Sequence, residues 1–139
     1  MNFNNNDYIN ISTDLIHDIF YSNISSRGRI SSIRQYSEIL IRKILDINPK
    51  KQVTVGDITI VKSLKKKSNN NKLIVDALKN IQTLGNKYTH TQVTEIVSDE
   101  NREKAFDALL DISAFLFVDY FSKYGFEKNP EVKSYFSLL

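Results

Sequence analysis

The sequence predicts an all-α fold, a bundle of four or five helices within one domain. Apolar residues recur every three or four positions in five segments, which is the period of a helix with one buried face. Only one short stretch alternates between apolar and polar residues as a strand does. The chain has 139 residues, of which 41% are hydrophobic, enough to form a single core. We therefore expect a loose lead-in over residues 1–11 and one helical domain over residues 12–139.

The first two helices are placed by a cap and by a proline. Thr13 is a suitable N-cap, and four apolar residues follow it at helical spacing, so a short helix is predicted over residues 13–22. A longer helix follows residues 25–28. It is expected to end at Asn48, because a residue that precedes proline, here Pro49, is disfavoured in helical geometry.

Residues 53–64 are compatible with two structures. Residues 53–60 alternate like two strands around a Gly56-Asp57 turn, but the same stretch also keeps a helical spacing after a Thr54 cap. An isolated hairpin is marginally stable without further strands, so we favour the helix. Residues 65–71 are then expected to form a basic, polar linker.

The last two long helices contribute most of the predicted core. In the first of them the apolar spacing continues to Tyr88 provided that Gly85 does not break the helix, and Thr83, Asn86 and His90 then lie opposite the core face. The second, Asp99–Tyr124, is apolar around most of its circumference, which is typical of a helix that is central or shared with a second subunit. A short terminal helix is predicted after Pro130.

Composition excludes several classes of protein. The chain has no cysteine, which rules out disulfides, thiol nucleophiles and cysteine-ligated metals. The polar amino terminus and the longest apolar run, residues 114–118, do not fit a secretory signal or a membrane span, so a cytoplasmic protein is expected. No cofactor or metal site is predicted. A formal charge of +3 permits a polyanionic partner.

Residues 84–90, Leu-Gly-Asn-Lys-Tyr-Thr-His, contain the best candidate site. His90 can act as general base or acid near neutral pH, Asn86 can orient the ring or a phosphate, and Lys87 can neutralise an anion. A histidine with a neighbouring arginine or lysine is sufficient for metal-independent RNA cleavage through the 2′-hydroxyl. The alternative is that His90 is a surface histidine and that Gly85 and Asn86 form an ordinary helix C-cap.

Charged residues form two further groups. Arg34, Glu38 and Arg42 lie four residues apart, so they share one stripe of the second helix and can form ion pairs. A lysine cluster can attract a nucleic-acid backbone, or it can simply be a solvated loop; no aromatic residue is interleaved with it. The cluster consists of Lys62, Lys65, Lys66, Lys67 and Lys72.

The order of these motifs resembles the HEPN superfamily. Residues 32–40 read Ser-Ile-Arg-Gln-Tyr-Ser-Glu-Ile-Leu, residues 81–90 read Ile-Gln-Thr-Leu-Gly-Asn-Lys-Tyr-Thr-His, and a long apolar helix follows. This is similar to a small bacterial branch that has Arg-x-x-Gly-Asn-x-x-x-His, often with Arg-x-x-x-Glu on the earlier helix. The likeness spans residues 30–124. It implies an all-α bundle, a homodimer that brings two motifs together, and metal-independent RNA cleavage in toxin–antitoxin or antiviral systems.

The chain departs from that motif at one position, because Thr83 or Gly85 stands where the arginine is expected. By resemblance, His90 and Asn86 are the catalytic pair, and Lys87 or Arg34 would then hold phosphate. The charge of the lysine cluster separately predicts Lys65, Lys66 and Lys67 as phosphate contacts. The leading hypothesis is an RNA- or nucleotide-binding module of a defence or toxin–antitoxin system that retains weak ribonuclease activity. The alternative is a non-catalytic dimerisation and docking module, or an antitoxin-type partner of a protein from the same operon.

Overall fold

The described part of the chain, residues 6–48, 51–92 and 94–124 of a computed structural model, is helical and contains no strand. This confirms the predicted all-α bundle. One π-helical turn, His17–Tyr21, continues the first helix directly. The α-helices are α1 (Asn6–Ile16), α2 (Ser26–Leu45), α3 (Ile58–Lys67), α4 (Lys72–Thr89) and α5 (Asp99–Tyr124).

The core lies where α2, α4 and α5 pack against one another. One side chain from each, Leu40, Leu78 and Ile112, is at most 1% exposed, so the three helices enclose a common dry interior. Burying an aliphatic side chain of this size stabilises the fold by roughly 1.5 to 3 kcal/mol. The apolar face predicted for α4 is the face that forms the core, whereas α5, predicted to be apolar around most of its circumference, buries one side and exposes Leu110 and Val118.

The first helix begins at Asn6, so the predicted start at Thr13 is wrong. The Thr13 hydroxyl donates to the carbonyl of Ile9, 2.8 Å away and four residues earlier, as a threonine inside a helix can. The π-helical turn then keeps Ile19, which is 1% exposed, in the core. Its last turn is closed by the N–H of Ser22, which donates to the carbonyl of His17.

The second helix ends at Leu45, three residues before the predicted end. Asp46, in the left-handed region with φ of 52°, terminates it, and the Asp46 N–H donates to the carbonyl of Arg42. The structure does not describe Pro49, and the terminal helix predicted after Pro130 also lies outside the described residues.

The segment before α4 combines a buried loop with a helix. The helix that the sequence favoured begins at Ile58 rather than after Thr54, because Asp57 is the N-cap and its carboxylate accepts from the N–H of Thr59 at 2.8 Å. Val55 in the preceding turn is nevertheless fully buried. Residues 65–67 form the last turn of α3, so the linker is shorter than predicted and comprises residues 68–71.

The two long C-terminal helices agree closely with their predicted bounds. Gly85 does not interrupt α4. The fifth helix begins after Ser98, whose hydroxyl accepts from the N–H of Asn101 at 3.1 Å. Within the part of the chain that the structure describes, no helix has the length and apolar character needed to cross a membrane.

Candidate functional site

The centre of the site is a contact between α2 and α4 at Gly85. This glycine is buried, and a Cβ added to it would lie 2.7 Å from Cδ of Arg34, closer than such carbons pack. The stem of Arg34 therefore crosses directly over the α4 backbone. At the end of that stem, Nη1 of Arg34 donates to Oδ1 of Asn86 at 3.3 Å. A guanidinium from one helix is thereby held beside an amide from another.

Glu38 lies one turn further along α2 and faces the same guanidinium. Its Oε1 is 4.0 Å from Nε of Arg34, so the predicted ion pair on this stripe is present. Burial raises the pKa of Glu38 above its ordinary value, although the positive charges of Arg34 and Arg42 act in the opposite direction. The carboxylate thus fixes one side of the guanidinium while it remains only weakly solvated itself.

A surface depression of 370 Å³ lies next to Gly85, between the start of α2 and the end of α4. Most of its lining side chains are small, and its surface is more apolar than polar. The Ser25 hydroxyl caps α2 by accepting from the N–H of Gly28 at 3.0 Å, and the Thr89 hydroxyl donates to the carbonyl of Gly85. The lining residues are Ser25, Arg27, Gly28, Ile30, Ser31, Gly85, Tyr88 and Thr89.

Arg27 joins the first turn of α2 to the last turn of α4. Its Nη1 donates to the carbonyl of Tyr88 at 2.9 Å and lies 3.5 Å from the carbonyl of His90. Its guanidinium carbon is 5.8 Å from the centre of the Tyr88 ring. A cation at this point also balances the partial negative charge at the carboxyl end of α4. The depression is therefore bordered by Arg27, while the stem of Arg34 lies against Gly85 in its lining.

His90 is the first residue after α4, and its backbone is extended, with ψ of 137°. Thr83, Asn86 and His90 are all exposed, but His90 lies one residue beyond the helix on which the prediction placed it. Its imidazole has no hydrogen bond to any residue within the described ranges. The His90 carbonyl lies next to Arg27, but His90 is not among the residues that line the depression.

The predicted lysines take no part in the contact between Arg34 and Asn86, although Lys87 is the next residue after Asn86. Lys87 forms an ion pair with Glu95, with Nζ 3.6 Å from Oε2, and also lies over the Tyr88 ring. Lys65, Lys66 and Lys67 are exposed at the end of α3, next to the start of α4. A rise of 1.5 Å per residue puts the start of α4 about 20 Å from Asn86. They do not share a site with Asn86.

Sequence reasoning did not assign Ser25 or Arg27 to the site. Nothing in their spacing relates them to residues 84–90, because Arg27 and its partner Tyr88 are 61 positions apart in the chain. The one available signal was the position of Arg27, directly after the Ser25-Ser26 pair where a helix start was expected. Within the described residues, no group of three or more potential metal ligands occurs.

Comparison with family models, with curated proteins and with solved structures finds no match to this chain. The fold and the site define it as an all-α helical bundle. A guanidinium from α2 and an amide from α4 meet in it, beside a surface depression.

The raised pKa of Glu38 leads to a stability prediction. Glu38 keeps its proton to a higher pH in the folded protein than in the unfolded chain. The stability that this difference adds is complete below the pKa of Glu38 in the unfolded chain, near about pH 4. It is lost as the pH rises through the pKa of Glu38 in the folded protein. We expect wild type to lose stability relative to Glu38→Gln between about pH 4 and pH 7, measured by urea unfolding.

Glu103→Gln, at an exposed position on α5, is the control for the loss of one negative charge. The prediction would be contradicted if the free energy of unfolding of wild type, relative to that of Glu38→Gln, stayed constant or increased with rising pH.

Proposed function

We propose that this chain is an RNA- or nucleotide-binding module, and that a phosphate of the ligand binds between Arg34 and Asn86 beside the depression. The observation that carries the proposal is the position of the Arg34 guanidinium, held against Asn86 by a glycine that lets it cross α4. The proposed activity of the module is weak, metal-independent cleavage of RNA in a bacterial antiviral defence or toxin–antitoxin system.

The chemistry of arginine supports an anionic ligand. A guanidinium has five N–H donors in a planar fork that matches two oxygens of a phosphate. Arg34 uses one of its nitrogens for Asn86 and turns another toward Glu38, and its side chain is still 23% exposed. Arg27 adds a second guanidinium at the border of the depression. A volume of 370 Å³ is within the range of small-molecule sites.

This arrangement concerns the one position at which the chain departs from the HEPN motif. The motif lacks its own arginine on α4, and Arg34 of α2 supplies a guanidinium next to the motif's Asn86. In the cleavage reaction, the 2′-oxygen would attack the phosphorus and displace the 5′-oxygen. His90 would take the 2′-hydroxyl proton as general base, with water protonating the 5′-oxygen, or it would protonate the 5′-oxygen as general acid, with water accepting the 2′-hydroxyl proton. Asn86 would position the phosphate, and Arg34 would stabilise its developing negative charge.

Two substitutions test the binding site from opposite sides. Arg34→Ala removes the guanidinium, whereas Gly85→Ala introduces a methyl group that displaces it. Both are expected to weaken RNA binding at least about tenfold, because a hydrogen bond to a charged group contributes roughly 1.5 to 3 kcal/mol and about 1.4 kcal/mol is tenfold. Fluorescence anisotropy with a labelled single-stranded RNA at fixed salt measures the effect.

Arg42→Ala is the matched control, since it removes an arginine from the same stripe about 12 Å further along α2. Gly85→Ala should leave the fold intact, because alanine favours a helix by about 1 kcal/mol over glycine and the atoms it meets belong to a flexible side chain. Equal affinity for wild type, Arg34→Ala and Gly85→Ala would refute the phosphate site.

Cleavage is tested at His90. We expect wild type to cleave RNA slowly in the presence of EDTA, and His90→Ala to lose at least about 100-fold in rate, the usual contribution of general acid–base catalysis. Denaturing gel electrophoresis of the RNA products measures the rate. His17→Ala is the matched control because His17 is exposed and is the chain's other histidine. Cleavage that disappears with EDTA, or that His90→Ala retains, would rule out this mechanism.

A second candidate function, dimerisation and docking without catalysis, is favoured by the outer face of α5. Leu110 and Val118 are 57% and 67% exposed, and exposed Ala114 lies between them at helical spacing. Apolar surface of this kind is stabilised when a second helix covers it. In this alternative, two copies of the chain would meet through α5.

Dimerisation is tested by replacing one of these residues with a charge. Leu110→Glu is expected to shift a dimer toward monomer in sedimentation equilibrium, because the carboxylate would be buried without a partner. Leu73→Glu is the control, since Leu73 is equally exposed but lies on α4. If wild type is monomeric at micromolar concentration, the dimer is excluded.

A further inference from the structure

A group of exposed aromatic residues lies on the π-helical turn and the adjacent part of α5. Phe20 is 41% and Tyr21 71% exposed. The Phe20 ring is 5.9 Å from the half-buried Phe106 ring and 6.5 Å from the Tyr21 ring. We call these three residues the aromatic cluster. Such large exposed rings add little to the core, so their position needs another explanation.

The local backbone accounts for how the rings reach the surface. Ile19, in the middle of the π-helical turn, is buried and anchors the turn. The two residues after it are consequently directed outward. Single π-helical turns are uncommon, and those that occur are often at functional sites. The π-helical turn therefore favours a ligand contact at this part of the surface.

The aromatic cluster is connected to the proposed phosphate site through Arg102. This arginine precedes Phe106 by four residues on α5, about 6 Å along the helix axis. Its Nη1 lies 3.5 Å from the hydroxyl of Ser26, and its Nη2 is 2.9 Å from Asp99. Ser26 stands between Ser25 and Arg27, which both line the depression. Arg102 therefore contacts the first residue of α2, next to two residues that line the depression, and lies one helical turn from Phe106 of the aromatic cluster.

We infer that the aromatic cluster stacks on the bases of a single-stranded RNA, one phosphate of which binds between Arg34 and Asn86 beside the depression. The inference rests on the proposed function and adds the class of RNA to it. Unpaired bases present flat faces to aromatic side chains, whereas the bases of a duplex are already stacked on one another. Arg102 supplies a positive charge beside the RNA backbone between the bound phosphate and the stacked bases. Guanidinium groups next to aromatic rings match a nucleic acid, which has both phosphates and flat bases, better than they match an apolar protein segment.

The first test uses a tryptophan as a reporter. The chain contains no tryptophan, so Tyr21→Trp introduces a single one at the most exposed ring of the cluster. Titration with oligouridine is expected to quench its fluorescence, while a duplex RNA and inorganic polyphosphate are expected to leave it unchanged. Equal quenching by polyphosphate would show an electrostatic effect and would overturn the stacking inference.

The second test measures affinity. Tyr21→Ala is expected to weaken oligouridine binding about tenfold, which is the usual size of one base–aromatic stack, while Tyr21→Phe keeps wild-type affinity. Leu73→Ala, at an equally exposed apolar site on α4, serves as the control and should also bind like wild type.

The outcomes separate the two proposals. If Arg34→Ala weakens binding but Tyr21→Ala does not, the phosphate site stands and the stacking inference fails. If wild type binds no RNA, both proposals fail. If Tyr21→Ala instead changes the sedimentation of the protein from dimer to monomer, the aromatic cluster is an interface between two copies and the inference is overturned.

Discussion

Three helix faces, from α2, α4 and α5, bury their apolar side chains against one another, and every other feature of the molecule is positioned by that contact. The contact places the start of α2 beside the end of α4, as the hydrogen bond from Arg27 to the Tyr88 carbonyl shows. It also places the start of α5 there, because the Tyr88 hydroxyl accepts from the side-chain amide of Asn101. One end of the bundle thus collects polar groups from three helices.

Gly85 sets how closely two of those helices can approach at the site. Any larger residue would push the Arg34 side chain away from Asn86. Glycine costs about 1 kcal/mol relative to alanine in a helix interior, so α4 is locally less stable than it could be. The same residue gives the guanidinium its position and the depression its floor. The glycine that makes α4 locally less stable is therefore the residue that lets Arg34 reach Asn86.

Three arginines contact oxygens of other helices near the end of the bundle that carries the depression. Arg27 and Arg34 bond oxygens of α4, and Arg102 contacts the Ser26 hydroxyl of α2. Lysines cluster at the end of α3, where they are exposed to solvent. A guanidinium fixes the direction of a contact, whereas an ammonium on a flexible stem acts as a point charge. Directional recognition is therefore expected at the first of these ends, and only diffuse attraction at the second.

The sequence by itself determined the all-α class, the buried face of α4 and the start of α5, because each depends on a periodicity or a cap that is complete within one segment. It did not determine where α1 starts. Thr13 has the chemistry of a cap, but it also bonds back within a helix, and only the conformation of the preceding residues decides between the two.

The site itself was decided by tertiary structure. Asn86 and His90 could be selected from the spacing of residues 84–90, yet Arg27 and the depression could not, and the partner of Asn86 depended on which side of α4 faces α2. Arg34 meets Asn86 across 52 positions of sequence. Helical periodicity describes how a segment will bury one of its own faces, but the contacts between the polar groups of different helices are set only when those faces pack together.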